Sequence, residues 1–460
     1  MKKILFISLV YICFASMASA QIGKRFPSER KVIKDPVTGT ELIFLTSQQG
    51  MGDSKIYPTE NQWTSDGQWL IFRSNRANGE AIAVNEETGE MVQVTEGGSA
   101  GFISRNKMAL YFMRTIDEDG NPVVRGGRGA GGAGGGAATP PPPRRSQVVE
   151  VDLATLFADS KAGTLKDASH YQKALATIPA SVGAGGGLQI DANGEVAYFS
   201  VSREVAAQHL TPGTKIEESF GPRNMGAGPT GIASVNFKTG EVKHVISLPF
   251  QLGHMQANPW VSGEIMVCWE TGGKAPKRMW TVKADGTGLR PVYDELETDW
   301  VTHEAFVAPD EVAFAVMGHR PIGSEGFQGG TTNPGQEPGW GPSGTRAHFG
   351  GLGIANLRTG EVYLAGQTKS GSGLWHVHAT RDGRFAVGDD FKRDVWLIDR
   401  RTNEMMLLSA GHKDTAQDHV HPTFSPCGTK IQIQSAMLSE DNRSMNIVVI
   451  KLPQDWLDRK

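Results

Sequence analysis

A chain of 460 residues with a formal net charge of −3 and no basic run beyond Arg144-Arg145 carries no nucleic-acid footprint, so an anionic ligand has to be met by local cations. That length is large for one ordinary core, yet a closed ring of repeats grows without splitting into separate cores. Beyond the N-terminus no apolar stretch is long enough to cross a membrane.

The chain opens with Lys2-Lys3, an apolar stretch from Ile4 to Met17, and Ala18-Ser19-Ala20, which has small residues at both positions a signal peptidase reads. Residues 1–20 are therefore expected to be a cleavable export signal, with cleavage after Ala20 and a periplasmic or secreted product. Ile12 is too large for the usual lipoprotein site before Cys13, which leaves with the signal. Cys268 and Cys427 remain, one inside a strand and one replacing the Asp of an Asp-Gly-type turn, and no disulfide between them is inferred.

Residues 21–460 read as one repeating domain. Glu41-Leu42-Ile43-Phe44-Leu45 is an early strand. Seven apolar strands follow, at Trp69 to Asn75, Ala109 to Thr115, Val196 to Ser202, Ile265 to Thr271, Val312 to Gly318, Phe385 to Phe391 and Ile431 to Met437. Each has a companion downstream, beginning near Ile82, Val148, Ile232, Met279, Leu352, Val395 and Ile447. Several companions end in turns such as Glu87-Thr88-Gly89 or Lys238-Thr239-Gly240, the chemistry of a hairpin. The shortest repeats are roughly 40 to 50 residues long, the length of a propeller blade. A parallel α/β fold would need a helix between strands, and only Lys161 to Ile178 could supply one. The expectation is an all-β, seven-bladed β-propeller, with residues 41–45 pairing into the last blade to close the ring and remove its open edge.

Two insertions, 117–147 and 317–351, interrupt the repeat. Arg125 to Pro143 is glycine-rich and ends in four prolines, a composition that cannot bury a core and reads as a solvated loop. His319 to Gly351 adds Phe327, Trp340, Arg320, Arg346 and His348, so it reads as a lid over the ring.

The chemistry gathers ahead of four consecutive apolar strands. There the chain reads Gly253-His254-Met255-Gln256, Thr302-His303-Glu304, Trp375-His376-Val377-His378 and Gln417-Asp418-His419-Val420-His421. In a propeller this slot is the innermost strand, beside the central channel. Side chains two apart on a strand point the same way, so His254 with Gln256, His376 with His378, and His419 with His421 are expected to face the axis. Three imidazoles and an oxygen donor make an open site for a divalent metal acting as a Lewis acid, and a further histidine beside it would serve as a base. The alternative is a wet channel lined by polar side chains and ordered water.

Leu252-Gly253-His254, Cys268-Trp269-Glu270 with Arg278-Met279-Trp280, Thr302-His303-Glu304-Ala305-Phe306 and His419-Val420-His421-Pro422-Thr423-Phe424-Ser425-Pro426 resemble, in order, the motifs of the oligogalacturonate lyases, a family of seven-bladed propellers. The likeness spans about Asn61 to Lys451 in blade pattern and is specific from about Leu248 onward. It implies a divalent ion of the Mn²⁺ type on His303, His419 and His421. Gln417 would be the fourth ligand, one residue beyond the family's glutamine slot, which Ala416 fills. It implies His254 as the proton-abstracting base, with Met255 in place of the family's proline, and Arg278 as the cation for a substrate carboxylate. His376 is implied as a substrate contact. Gln256 and Arg203 are further candidates for substrate binding, Arg203 and Arg223 being the cations nominated around Ser200 to Pro222, where the family's basic and aromatic pattern is missing.

The implied reaction is β-elimination on a 4-linked uronic-acid-containing oligosaccharide such as an oligogalacturonate. A neutral His254 takes the C5 proton, the developing enolate is stabilised electrostatically, and the bond from C4 to the leaving oxygen breaks. No nucleotide or organic cofactor is needed. A rival class is a non-catalytic, TolB-like propeller acting as a periplasmic binding platform, which has no reason to present histidines in equivalent slots. A hydrolase is a third, for which no carboxylate pair stands out at a mouth position.

Overall fold

A strand sandwiched between two other sheets loses the alternation of polar and apolar residues, because both of its faces are buried. That is how Leu70-Ile71-Phe72, Ala109-Leu110 and Leu42-Ile43-Phe44-Leu45 read, and all of these side chains are essentially inaccessible to solvent. The computed structural model describes residues 21–123, 144–219, 223–296, 299–319, 351–366 and 374–459, with 317–319 described by their backbone. The expected signal (1–20) and most of both insertions (124–143 and 320–350) lie outside the described residues. Among the described residues no helix is long and apolar enough to cross a membrane.

The strands form seven antiparallel sheets of four or five strands, a seven-bladed β-propeller. The seven apolar strands found in the sequence are the second strand of each blade and their companions the third. Blade 4, for example, runs Leu252–Ala257, Glu264–Trp269, Met279–Lys283 and Arg290–Pro291 from the axis outward. The core is divided among the junctions between blades. Ile71 of blade 1 packs with Phe112 of blade 2, Met266 of blade 4 with Phe314 of blade 5, and Phe385 of blade 6 with Ile433 of blade 7.

The ring closes as the sequence suggested. Blade 7 takes three strands from the C-terminus and two from the N-terminus, Glu41–Phe44 pairing with Asn446–Lys451 in the register Leu42↔Ile450 and Phe44↔Val448. Leu42 and Phe44 pack with Phe385 and Leu397 of blade 6, while Ile43 and Leu45 pack with Leu70 and Phe72 of blade 1. A buried polar seam reinforces the joint. Asp35, just after the outermost strand, accepts from Ser409 Oγ and Ala410 N, both at 2.8 Å. Since the Ser409 hydroxyl donates to Asp35, it accepts from His412 Nε2 at 2.9 Å, and His412 Nδ1 in turn accepts from Ser435 Oγ at 2.8 Å.

One expectation shifts. The segment Lys161 to Ile178 is not a helix throughout: the main helix is Leu153–Ala162, a single helical turn follows at Ala168–Tyr171, and Gln172–Ile178 is the outer strand of blade 2. Asp152 starts the helix by accepting from Thr155 N, and Gly163, at φ 70°, ends it in the left-handed conformation that glycine adopts without steric cost. The helix packs Leu153 and Leu156 against blades 1 and 2 and does not separate parallel strands.

The polarity of the strands decides what lies at each mouth of the channel. Inner strands start at one mouth and end at the other, and second strands return. His319 therefore pairs with Asp299, where the inner strand of blade 5 begins, so the second strand of that blade ends at this mouth. Ile116, at the end of the second strand of blade 2, pairs with Arg145 at the same end of its own sheet.

Burial of the closing seam has a pH signature. His412 in the fold takes up a proton only near 4, its pKa lowered by burial against the ordinary 6.5. Between those values the unfolded chain binds more protons, so stability falls as pH drops from about 6.5 to 4 and changes no further below, by about 3 kcal/mol for this group. Urea midpoints across this window are expected to fall less steeply for His412→Asn than for the wild type. Parallel curves would mean that the imidazole is not held neutral.

Candidate functional site

The histidines meet because their strands break the regular pleat. Inner strands shift register between Gly253 and Gln256, between Thr302 and Ala305, and between Leu374 and Val377. His254, His303 and His421 sit at φ of 42°, 52° and 51°. A left-handed conformation at a residue other than glycine costs on the order of 1–3 kcal/mol and persists only where surrounding structure enforces it. Gly253 is needed for the same local shape, since a Cβ there would lie 2.7 Å from the Glu270 Cβ and 3.1 Å from the Cys268 sulfur.

One half of the site is an ion network around His254. Arg278, almost fully buried, donates through Nε to Glu304 Oε2 at 2.9 Å, and its Nη2 lies 3.6 Å from Glu270. His254 Nδ1 stands 3.0 Å from Glu304 Oε1, nearer than the 3.4 Å approach of Arg278 Nη2. A carboxylate can only accept, so the shorter contact assigns the proton to Nδ1 and leaves the lone pair on Nε2. Burial alone would raise the Glu304 carboxyl, but Arg278 and His254 outweigh it and hold the group at about 2. Burial opposes the charge of Arg278 as well; the Cys268, Glu304 and Glu270 around it keep it firmly protonated.

The other half is a set of imidazoles from blades 5, 6 and 7. The ring of His376 lies 4.2 Å from that of His303, 3.8 Å from His421 and 5.3 Å from His419, centroid to centroid, and His303 lies 6.2 Å from His254. Asp389, fully buried on the second strand of blade 6, is 3.1 Å from both His376 Nδ1 and His419 Nδ1, so it fixes both as Nδ1–H tautomers with Nε2 free to coordinate. Burial opposes ionisation of Asp389, but His376 and His419 pull its pKa well below the usual carboxylate range. Burial, then the neighbouring imidazoles, push His303 far below 6.5, and burial with His421 takes His376 to about 3. These two rings are therefore neutral donors. Among the described residues, the Nδ1 of His303 is buried with no hydrogen-bond partner.

Such a set fits a divalent transition ion: several neutral imidazoles, adjacent carboxylates, and an orphaned ring nitrogen. His376, Asp389 and His419 offer ligand atoms within 4.8 Å of one another, and so do His254, Cys268 and Glu270.

The structure brings His254, Arg278, His303, His376, His419 and His421 together. Gln256 is occupied elsewhere, donating to the Glu304 carbonyl at 2.9 Å and accepting from Phe306 N at 3.1 Å, which fastens blade 4 to blade 5. Gln417 is exposed, its backbone amide donating to Arg443 O at 3.0 Å. Arg203 is exposed at the start of a short helix and donates to the Ala227 carbonyl at 3.1 Å. The bulge in its strand separates His378 from His376, and it lines the opposite mouth.

Sequence reasoning gave no role to Asp389, Glu270, Lys55 or Tyr57. The signal for Asp389 was Asp389-Asp390 inside an otherwise apolar strand, since unpaired carboxylates are seldom buried. Lys55 is buried and donates to the His421 carbonyl and to Thr423 Oγ1. Tyr57 packs its ring 5.0 Å from His254 and 5.6 Å from His421, and burial, with Glu304 behind it, keeps its phenol protonated.

With this geometry in view, the chain can be compared with known proteins. It superposes on the structure of an oligogalacturonate lyase in complex with manganese at a TM-score of 0.65 and 19% identity, over 95% of this chain and 100% of that one. An oligogalacturonate lyase from Vibrio parahaemolyticus gives a TM-score of 0.65 and 17% identity over the same shares. A TolB-type protein from Agrobacterium tumefaciens gives 0.40 at 10% identity, over 93% of this chain and 100% of that one, too distant to argue from. No family model matches the chain, and no curated protein matches it. The shared property is the fold. At these identities the chemistry has to be argued from the side chains.

Removing Arg278 tests the network directly. Arg278→Ala leaves Glu304 buried without its cation and is expected to cost on the order of 3–5 kcal/mol. The double variant Arg278→Ala/Glu304→Ala should be less destabilised than the single one. A urea midpoint for Arg278→Ala equal to the wild type's would contradict the pairing.

Proposed function

We propose that this protein is a metal-dependent lyase that cleaves a uronic-acid-containing oligosaccharide, such as an oligogalacturonate, by β-elimination. The observation that carries the reading is the juxtaposition of an oriented base with a metal-type imidazole set, the ring of His254 lying 6.2 Å from that of His303. The fold likeness to two oligogalacturonate lyases, one of them a manganese complex, supports it. His303, His419 and His421 would hold the ion, Mn²⁺ by that likeness. His376, among these three rings, is a better fourth ligand than the exposed Gln417. The bound ion would supply Lewis acidity toward the uronate carboxylate.

The residues of the chain supply the rest. Glu304 holds His254 Nδ1–H, so Nε2 is the nitrogen that takes the C5 proton. Arg278 is committed to Glu304 and Glu270, which makes it a positioning residue for His254 more than a partner of the substrate carboxylate. Tyr57, protonated and against both His254 and His421, is the proton donor at hand for the departing C4 oxygen. Export by residues 1–20 would bring the enzyme to extracytoplasmic oligosaccharides.

Metal analysis of the purified protein should find about one divalent ion per chain, and His421→Ala should weaken its binding at least 10 to 100-fold, the effect of losing even an outer-shell partner. A His303→Ala/His419→Ala/His421→Ala variant that keeps its full metal would overturn the ligand set.

Turnover is followed by the ultraviolet absorbance of unsaturated uronate on a panel of pectic and other uronic oligosaccharides. His254→Ala and Tyr57→Phe should retain the ion but lose about 10² to 10⁴ in rate. Wild-type rates in His254→Ala, or loss of the metal with the activity, would remove His254 as a dedicated base. A metal-loaded wild type inert on the whole panel would favour a binding platform.

A further inference from the structure

The inner strands that deliver the histidines at one mouth deliver a different set of residues at the other. Just past the ends of these strands, Arg105 of blade 2, Asn193 of blade 3, Trp260 of blade 4 and Arg381 of blade 6 surround an axial cavity of about 350 Å³, with His378 and Phe424 in its wall. A side compartment of about 190 Å³ shares Arg105, Asn106 and Asn193 with it. The combined space is at the lower end of the range of small-molecule sites.

Its positive charge is only partly offset. The guanidinium carbons of Arg105 and Arg381 lie 5.2 and 5.5 Å from the Trp260 ring. Among the described residues neither arginine has a carboxylate within ion-pair distance or a hydrogen-bond partner. Burial pulls the pKa of Arg105 down to about 10; the field of Glu60 opposes this and Arg381 adds to it. Glu60 is engaged by Gln189 Nε2 at 2.7 Å and is itself pushed up to about 7 by burial. The Asp191 carboxylate nearby is taken by Tyr198, Ser262 and Gly263. Two guanidiniums thus stand against one indole ring at the same cavity, neither with a carboxylate at ion-pair distance among the described residues. That is the arrangement that grips an oxyanion with two parallel N–H···O bonds.

We propose that this second mouth binds a small oxyanion-bearing molecule, a uronate or a phosphorylated sugar, gripped by Arg105 and Arg381 beside Trp260. The site stands apart from the histidine mouth and does not rest on the lyase reading. Isothermal titration calorimetry on the full chain, with and without EDTA, uses galacturonate, glucose 1-phosphate and neutral galactose as probes. Saturable binding of one or both anions, insensitive to EDTA and weakened about tenfold or more by Arg381→Ala and by Arg105→Met, is expected. The stronger of the two anions names the ligand class. Arg381 is exposed, so its variant keeps the test open even where Arg105→Met fails to fold. Absence of saturable anion binding, equal binding of galactose, unchanged affinity in Arg381→Ala, or binding abolished by EDTA would each overturn the proposal.

Discussion

A blade presents two apolar faces, and neither is tolerable in water, so each sheet of this molecule depends on having a neighbour on both sides. The requirement can be met only by a ring that closes, and closure falls to one short strand. Glu41–Phe44 fills the gap by sending alternate side chains to blades 6 and 1 while its backbone completes the ladder of Asn446–Lys451. The polar seam of Asp35, Ser409, His412 and Ser435 locks the same joint from the side. Blade 7, fixed in this way, carries His419 and His421 to a defined place against His376 and His303. The candidate site therefore inherits its geometry from a contact between the two ends of the chain.

Much of this architecture is legible in the amino-acid sequence, and the reason is physical. Second and third strands are buried on both faces, so they stand out as apolar runs at a blade-length spacing. Inner strands are less legible. Some pair over only two residues, as at Phe102–Ile103, Gln189–Ile190 and Thr423–Phe424, and others are bulged. A bulge defeats the rule that residues two apart share a face. Hence Gln256 fastens two blades together, and His378 faces the far mouth instead of joining His376. Nothing in the residues near His254, His303 and His421 announces a left-handed backbone. The gathering of the histidines survives these local surprises, because equivalent slots in consecutive blades converge on the axis whatever the fine pleat.

The acids that organise the site were the hidden part. Glu304 and Asp389 are both fully buried, and each must offset its own desolvation by holding cations or imidazole N–H groups. Glu304 does so with Arg278 and His254, Asp389 with His376 and His419. Their yield is orientation, because each fixes which nitrogen of its histidine keeps a lone pair. Buried ion networks of this kind contribute little net stability over apolar packing of the same volume. Their presence at the axis is better explained by the chemistry of the rings that they align.

The direction of the strands divides the molecule in a further way. Connections between second and third strands, and from one blade to the next, open at the histidine mouth, whereas first-to-second and third-to-fourth connections turn at the other. Both long insertions interrupt connections of the first kind, and the tight turns at Glu87-Thr88-Gly89 and Lys238-Thr239-Gly240 belong to the second. Sequence can thus be added around one opening without disturbing a hairpin that holds a blade together. One rim of the ring can therefore change in length while the hairpins at the other, and the strand that closes the circle, keep their register.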